Sequence, residues 1–198
     1  MSEQFTEGKI HSALWDYLTK SYEQDCFVSN WKGWSYRVGK SQREKTFFYR
    51  EYDVARFHRE QQPYGIELSL YGYEVKGYER IRGKLKGERK TTYKPPAFGL
   101  GIEQALLLLY QGADFAYLVI PEPELESDRN NLKEFCEKFA RNIGTIFLTE
   151  HGTFWEFRKA EKNLHATEDR KKKMLTSLIA GGQLRDIKMP VWCKKQEF

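Results

Sequence analysis

Cysteine is scarce, with Cys26, Cys136 and Cys193 as the only three in 198 residues. They are widely spaced and no two form a Cys-x-x-Cys pair, which argues against a disulfide framework and against a cysteine zinc site. A reducing cytoplasm is therefore the expected location. Long apolar runs are missing too. Ala105–Tyr110 and Phe115–Ile120 are far shorter than the roughly 20 residues of a spanning helix, so no membrane partner is expected. The opening residues carry acids and no apolar core, so no secretion signal is expected. The four histidines, His11, His58, His151 and His165, show neither HxxxH nor HxH spacing, which weighs against zinc. No glycine-rich phosphate loop occurs, because Gly99-Leu100-Gly101 lacks the glycine and lysine that would follow, and no nucleophile-elbow serine is present. Internal repeats and low-complexity tracts are absent as well.

What remains is a chain that is 40% hydrophobic and 31% charged, long enough to bury a core without staples. Ile10, Ala13, Leu14, Tyr17 and Leu18 fall on one face of an opening helix that Thr6 can cap. Three strand-like stretches follow: Cys26–Val38, Thr46–Arg59 and Ile66–Tyr78, the last two separated by the turn residues Gln61–Gly65. A polar basic loop over Glu79–Phe98 leads to a helix near Gly99–Gln111, whose leucines predict burial on more than one side. Phe115–Ile120 predicts a buried strand, and Leu132, Phe135, Cys136 and Phe139 mark a third amphipathic helix. Thr145–Thr149 predicts a strand paired with Thr153–Arg158 through His151-Gly152, and a last helix spans Thr167–Gly181. The order implies an α/β fold, a mixed sheet flanked by helices. Residues 1–160 form the main domain, and 161–198 a C-terminal helix and tail packed on it or appended to it.

The net charge of +5 conceals unlike parts. Residues 76–94 hold eight bases (Lys76, Arg80, Arg82, Lys84, Lys86, Arg89, Lys90, Lys94) and two acids, a net +6. Residues 121–137 hold six acids and two bases, a net −4, and are placed away from any polyanion. A mobile loop carrying the first group would hold a phosphate backbone through sequence-neutral contacts. The basic run 158–173, a net +4, includes Lys171–Lys173 at a helix start, an unfavourable place for cations that suggests DNA contact. Trp31, Trp34 and Tyr36 could stack on bases, although core packing is the commoner use of aromatics.

Five acid-x-lysine patterns occur, but only Glu74-Val75-Lys76 lies in an apolar strand. Residues two apart on a strand share a face, so Glu74 and Lys76 point the same way. If Gln62–Gly65 is a turn whose ends pair, Asp53 falls opposite Glu74, on a face otherwise made of Ala55 and Phe57 with Ile66, Leu68, Leu70 and Gly72 across from them. That register also sets Glu60 against Glu67. Two adjacent carboxylates repel unless a cation joins them, and Mg²⁺ takes such oxygen ligands. With Lys76 beside them, the group has the equipment for metal-assisted phosphodiester hydrolysis.

The order of elements together with Asp53…Glu74-Val75-Lys76 resembles the PD-(D/E)XK nuclease superfamily, the restriction-endonuclease-like fold, and within it archaeal Holliday-junction resolvases and RecB-like nucleases. The resemblance covers about residues 7–120 and implies an αβββαβ core. It implies Asp53 and Glu74 as ligands of Mg²⁺ or Mn²⁺, Lys76 as the catalytic lysine, and Glu7, early in the first helix, as an assisting acid. Gln104 matches a glutamine on the helix after the third strand. The residue before Asp53 is Tyr52 rather than proline, and Leu108 stands where the RecB-like branch has tyrosine. The implied activity is metal-dependent hydrolysis of DNA, with a homodimer as one implied assembly. The rival readings are a nuclease-fold module that binds without cleaving, and a scaffold whose acids form salt bridges.

Overall fold

The computed structural model describes residues 5–31, 51–85, 88–94, 98–180 and 186–198, with the backbone alone for 80–85 and 88–94. Trp34, Tyr36 and Lys86 lie outside the described residues. The elements are α1 (Glu7–Ser21), β1 (Cys26–Trp31), β2 (Tyr52–Gln62), β3 (Gly65–Val75), β4 (Glu79–Leu85), β5 (Glu88–Lys94), α2 (Phe98–Tyr110), β6 (Phe115–Pro121), α3 (Glu126–Phe139), β7 (Ile143–Leu148), β8 (Phe154–Arg158), α4 (Glu168–Ala180), β9 (Ile187–Lys188) and α5 (Val191–Lys194).

Seven strands make a mixed sheet in the order β8-β7-β6-β3-β2-β1-β9. The strands β1, β2 and β3 form an antiparallel meander, after which β6 joins β3 in parallel and β7 joins β6 in parallel. The parallel step from β3 to β6 needs a crossover, and α2 supplies it. One sheet face carries Phe57, Leu70 and Leu118 against α2, α3 and α4. The other carries Phe27, Val54, Tyr73 and Val119 against α1. In α1 the wholly buried residues are Ile10 and Leu14, with Leu18 nearly so, a spacing of four that keeps one stripe on the sheet. Each such side chain contributes about 1.5–3 kcal/mol by burial.

The β2–β3 register is the expected one, running from Gln62↔Gly65 to Val54↔Tyr73. Gly65 has φ of 138°, a conformation that side-chain-bearing residues rarely adopt, so the turn fixes the register there. The Glu60↔Glu67 pair is present, and Lys162 offsets it by holding Glu67 at 2.7 Å.

Several expectations are corrected. The stretch after β3 is not a loop: β4 and β5 form an antiparallel two-stranded ribbon. Ile81, Thr91, Thr92 and Tyr93 favour strand. Thr6 stands at the start of α1, but its side chain makes no capping bond; instead its backbone bridges to Tyr78. The helix α2 buries only one side, leaving Leu100 and Leu106 exposed. On α3, Leu132 and Cys136 are buried but Phe135 and Phe139 are exposed. Trp31 is core, packed on Tyr52 and Phe57. Lys171 is 2% exposed and lies 3.0 Å from Asp114 and 2.6 Å from Glu168, so it anchors α4 to the sheet rather than facing a polyanion. The tail contributes β9, paired with β1, and α5, whose Trp192 indole donates to the Gln24 carbonyl at 2.7 Å. All three cysteines are buried and free. Among the described residues, no helix is long and apolar enough to cross a membrane.

Candidate functional site

The second and third strands converge where α1 begins. Beyond the Val54↔Tyr73 pair the Asp53 carboxylate takes over a ladder position, its Oδ2 accepting from the Val75 N–H at 2.7 Å. The Lys76 N–H donates to the Val119 carbonyl at 2.9 Å, which holds the end of β3 against β6. Glu74 is fully buried, and its Oε1 lies 2.7 Å from Lys76 Nζ. The same ammonium donates to the Val75 carbonyl at 2.9 Å and lies 3.4 Å from Glu7 Oε2. Glu7, Glu74 and Lys76 thus share one cluster, with Asp53 attached to it through Val75.

Gly77 explains how Glu7 arrives. A Cβ at position 77 would sit 2.3 Å from the Glu7 nitrogen and 2.6 Å from the Phe5 oxygen, so the start of α1 lies directly on this glycine. The Tyr78 N–H donates to the Phe5 carbonyl at 2.7 Å and locks the contact. Glycine is the one residue that permits so close an approach of two backbones.

On the far side, Lys76 lies along α2. A Cβ at Gly101 would be 3.0 Å from Lys76 Cγ. Gln104 stands one turn further on the same helix, a spacing that keeps it near that face. It is half-buried, and its Oε1 is buried with no hydrogen-bond partner among the described residues. A buried acceptor left without a donor is costly, which marks Gln104 as a residue awaiting one.

His11 was not anticipated. Its Nε2–H donates to the Asp53 carbonyl at 2.9 Å, which fixes the tautomer and ties α1 to the start of β2. Its position four residues after Glu7, on the same helix face, is the one sequence signal that could have found it.

The basic residues Arg80, Arg82, Lys84, Arg89, Lys90 and Lys94 lie on the β4–β5 ribbon. The ribbon starts three residues after Lys76, and at its base Glu79 pairs with Lys94. Its register sets Arg80 opposite Tyr93, Arg82 opposite Thr91 and Lys84 opposite Arg89.

Among the described residues, no group of three or more His, Cys, Asp or Glu side chains could hold a metal ion. The donors at the cluster are oxygens, the chemistry that Mg²⁺ and Mn²⁺ take, and Mg²⁺ is commonly held by one or two carboxylates with water and phosphate completing its shell. Asp53 and Glu74 fit that limited role. They do not form an all-protein cage.

Comparison with known proteins returns nothing: no family model, no curated protein and no solved structure matches this chain.

Proposed function

We propose that the chain is a divalent-metal-dependent deoxyribonuclease of the restriction-endonuclease-like fold. The observation that carries this reading is Lys76 Nζ set between Glu74, at 2.7 Å, and Glu7, at 3.4 Å, on a strand end that Asp53 also binds. The order α1, three strands, α2 and a parallel β6 agrees with the αβββαβ core implied by the resemblance.

Asp53 and Glu74 hold Mg²⁺ or Mn²⁺ in this reading, and the ion supplies Lewis acidity and a more acidic water. Lys76 orients the attacking water and places a positive charge where negative charge develops on the phosphate. Glu7 and Gln104 position the same water and the lysine. The basic ribbon holds the DNA backbone by salt-sensitive contacts. Cleavage leaves a 5′-phosphate, as the resemblance implies.

The test is incubation of the protein with duplex, single-stranded and branched DNA in Mg²⁺ or Mn²⁺, beside Asp53→Ala, Glu74→Ala and Lys76→Ala. Loss of cleavage in each variant supports the site, and equal cleavage by all four proteins refutes it.

One observation favours a second reading, a module of the same fold that binds nucleic acid without cutting. Lys76 Nζ already neutralises Glu74 directly, so no further cation is required to keep that carboxylate buried. Salt-sensitive DNA binding that is indifferent to metal, with no cleavage of any DNA form, would favour it.

A further inference from the structure

The sheet face that α1 covers holds a separate pocket of about 410 Å³, with Tyr73 of β3 in its wall and Glu74, the next residue, turned to the other face. Tyr17 and Tyr22 at the end of α1, Arg56 on β2, Tyr71 on β3, and Trp155 and Glu156 on β8 are among its walls.

Arg56 is the unusual component. It is only 6% exposed, although arginine is seldom buried without close partners. Its guanidinium carbon lies 3.9 Å from the centre of the Tyr22 ring and 3.8 Å from that of Tyr71, so both flat faces are covered. Only the edge of the guanidinium is left to bond. There the nearest acid, Asp25, stands 3.6 Å from Nε, a charge contact too long for a hydrogen bond. Asp25 gives its close contact, 2.9 Å, to His58. Arg56 Nε and Nη1 are buried with no hydrogen-bond partner among the described residues. A guanidinium with five N–H donors is thus held rigid and under-bonded at a pocket wall, an arrangement that costs stability unless something else binds it. Lys159 adds a second positive charge to the lining.

The rest of the wall is flat and aromatic. Tyr73 and Tyr117 stack at 5.6 Å with planes 19° apart. Tyr17 adjoins Phe154 at 5.2 Å. Such surfaces bind rings well, and the Tyr117 hydroxyl donates to Glu156 Oε1 at 2.8 Å, which engages that acid of the wall. The size is that of a small-molecule site rather than of a protein groove.

We propose that this pocket binds a small organic anion, with an oxyanion on the edge of the Arg56 guanidinium and a flat ring against the tyrosine wall. Carboxylates and phosphates share the required chemistry, because both offer two oxygens to an arginine edge. The ligand occupies the opposite face from the carboxylate cluster, so this site does not depend on the nuclease reading.

The experiment is calorimetric titration of the full chain, free of metal, with benzoate, phenyl phosphate, benzamide and inorganic phosphate. Benzoate or phenyl phosphate should bind, the tighter of the two identifying the oxyanion, and uncharged benzamide should bind about 10- to 100-fold more weakly. Arg56→Met should remove the preference for charge, but it also strips Asp25 of its cation and can unfold the protein. Tyr17→Ala alters a 39% exposed ring of the aromatic wall and leaves both rings stacked on Arg56 in place. It should weaken the ring-bearing anion about three- to tenfold and leave inorganic phosphate unchanged. Failure of both ring-bearing anions to bind overturns the proposal. So does binding unchanged in Tyr17→Ala, or binding lost in Glu74→Gln instead, which would assign the anion to the other face.

Discussion

Replacing Lys76 by methionine tests the central pair most directly. The Glu74 side chain is 0% exposed and that of Lys76 is 10%, with 2.7 Å between the charges. At an effective dielectric near 20 the raw attraction at that distance is about 6 kcal/mol. Desolvating the two ions costs several kcal/mol each, so the pair as a whole stabilises the fold little. Breaking it is different, because Lys76→Met leaves a fully buried carboxylate without the ammonium and should cost about 3–5 kcal/mol. Glu74→Met should cost less, about 1–2 kcal/mol, because Lys76 keeps the Val75 carbonyl and Glu7. The double variant Glu74→Met/Lys76→Met should return to within about 1.5 kcal/mol of wild type, since a buried ion pair exchanged for packed apolar groups is often neutral. Urea unfolding of the four proteins in a chelating buffer measures this, and a coupling of several kcal/mol between the sites is expected. None of the three variants should cleave DNA, so the stable double variant separates lost chemistry from lost folding. A Lys76→Met protein within about 1 kcal/mol of wild type, or a double variant as unstable as the sum of the singles, would refute the reasoning.

Gly77→Ala should destabilise by about 1–3 kcal/mol, because the atoms the new methyl would meet are backbone atoms of residues 5–7 that no rotamer change can move; urea midpoints check this. Burial raises the Tyr73 and Tyr117 phenols above their ordinary value of 10.0. The unfolded chain therefore releases these protons first, and stability, full below pH 10, should fall by about 1.4 kcal/mol per pH unit for each tyrosine as pH rises beyond it. Urea melts between pH 9 and about 11.5, with tyrosinate absorbance followed in parallel, test this. The native protein should show almost no reaction with a thiol reagent until it unfolds, when all three cysteines become titratable, because each is 0% exposed.

Where the sequence carried strong local signals, the structure follows them. A Pro-Tyr-Gly turn and an alternating apolar face were enough to place Asp53 beside the end of β3, because a one-residue slip would have turned the whole face outward. The α1 stripe was legible for the same reason, its period being local. What escaped depends on partners distant in sequence. Charge obscured the strand character of β4 and β5, whose backbones pair from Glu79 with Lys94 to Leu85 with Glu88. Lys171 sits in a run of bases and looks solvated until Asp114, on another element, is brought to it. The two-residue β9 has no pattern of its own and exists because β1 offers it an edge. In the site, the strand acids were readable as a pair. The approach of Glu7 rests on a glycine contact between two backbones, and His11 on a bond to a carbonyl 42 residues away.

The pairing of β9 with β1 also sets the order in which the protein can be made. Phe27 and Val28 meet Lys188 and Ile187, and the Ser29 N–H donates to the Asp186 carbonyl at 3.0 Å. On the ribosome, the outer edge of β1 therefore stays open until residues near 188 have left the exit tunnel, long after β1, β2 and β3 can have formed their meander. An open strand edge invites pairing with other chains, and long-range closure is slow. For this protein the residues that seal the outer edge of β1 are made long after β1 itself, and the interval before they emerge leaves that edge exposed to aggregation.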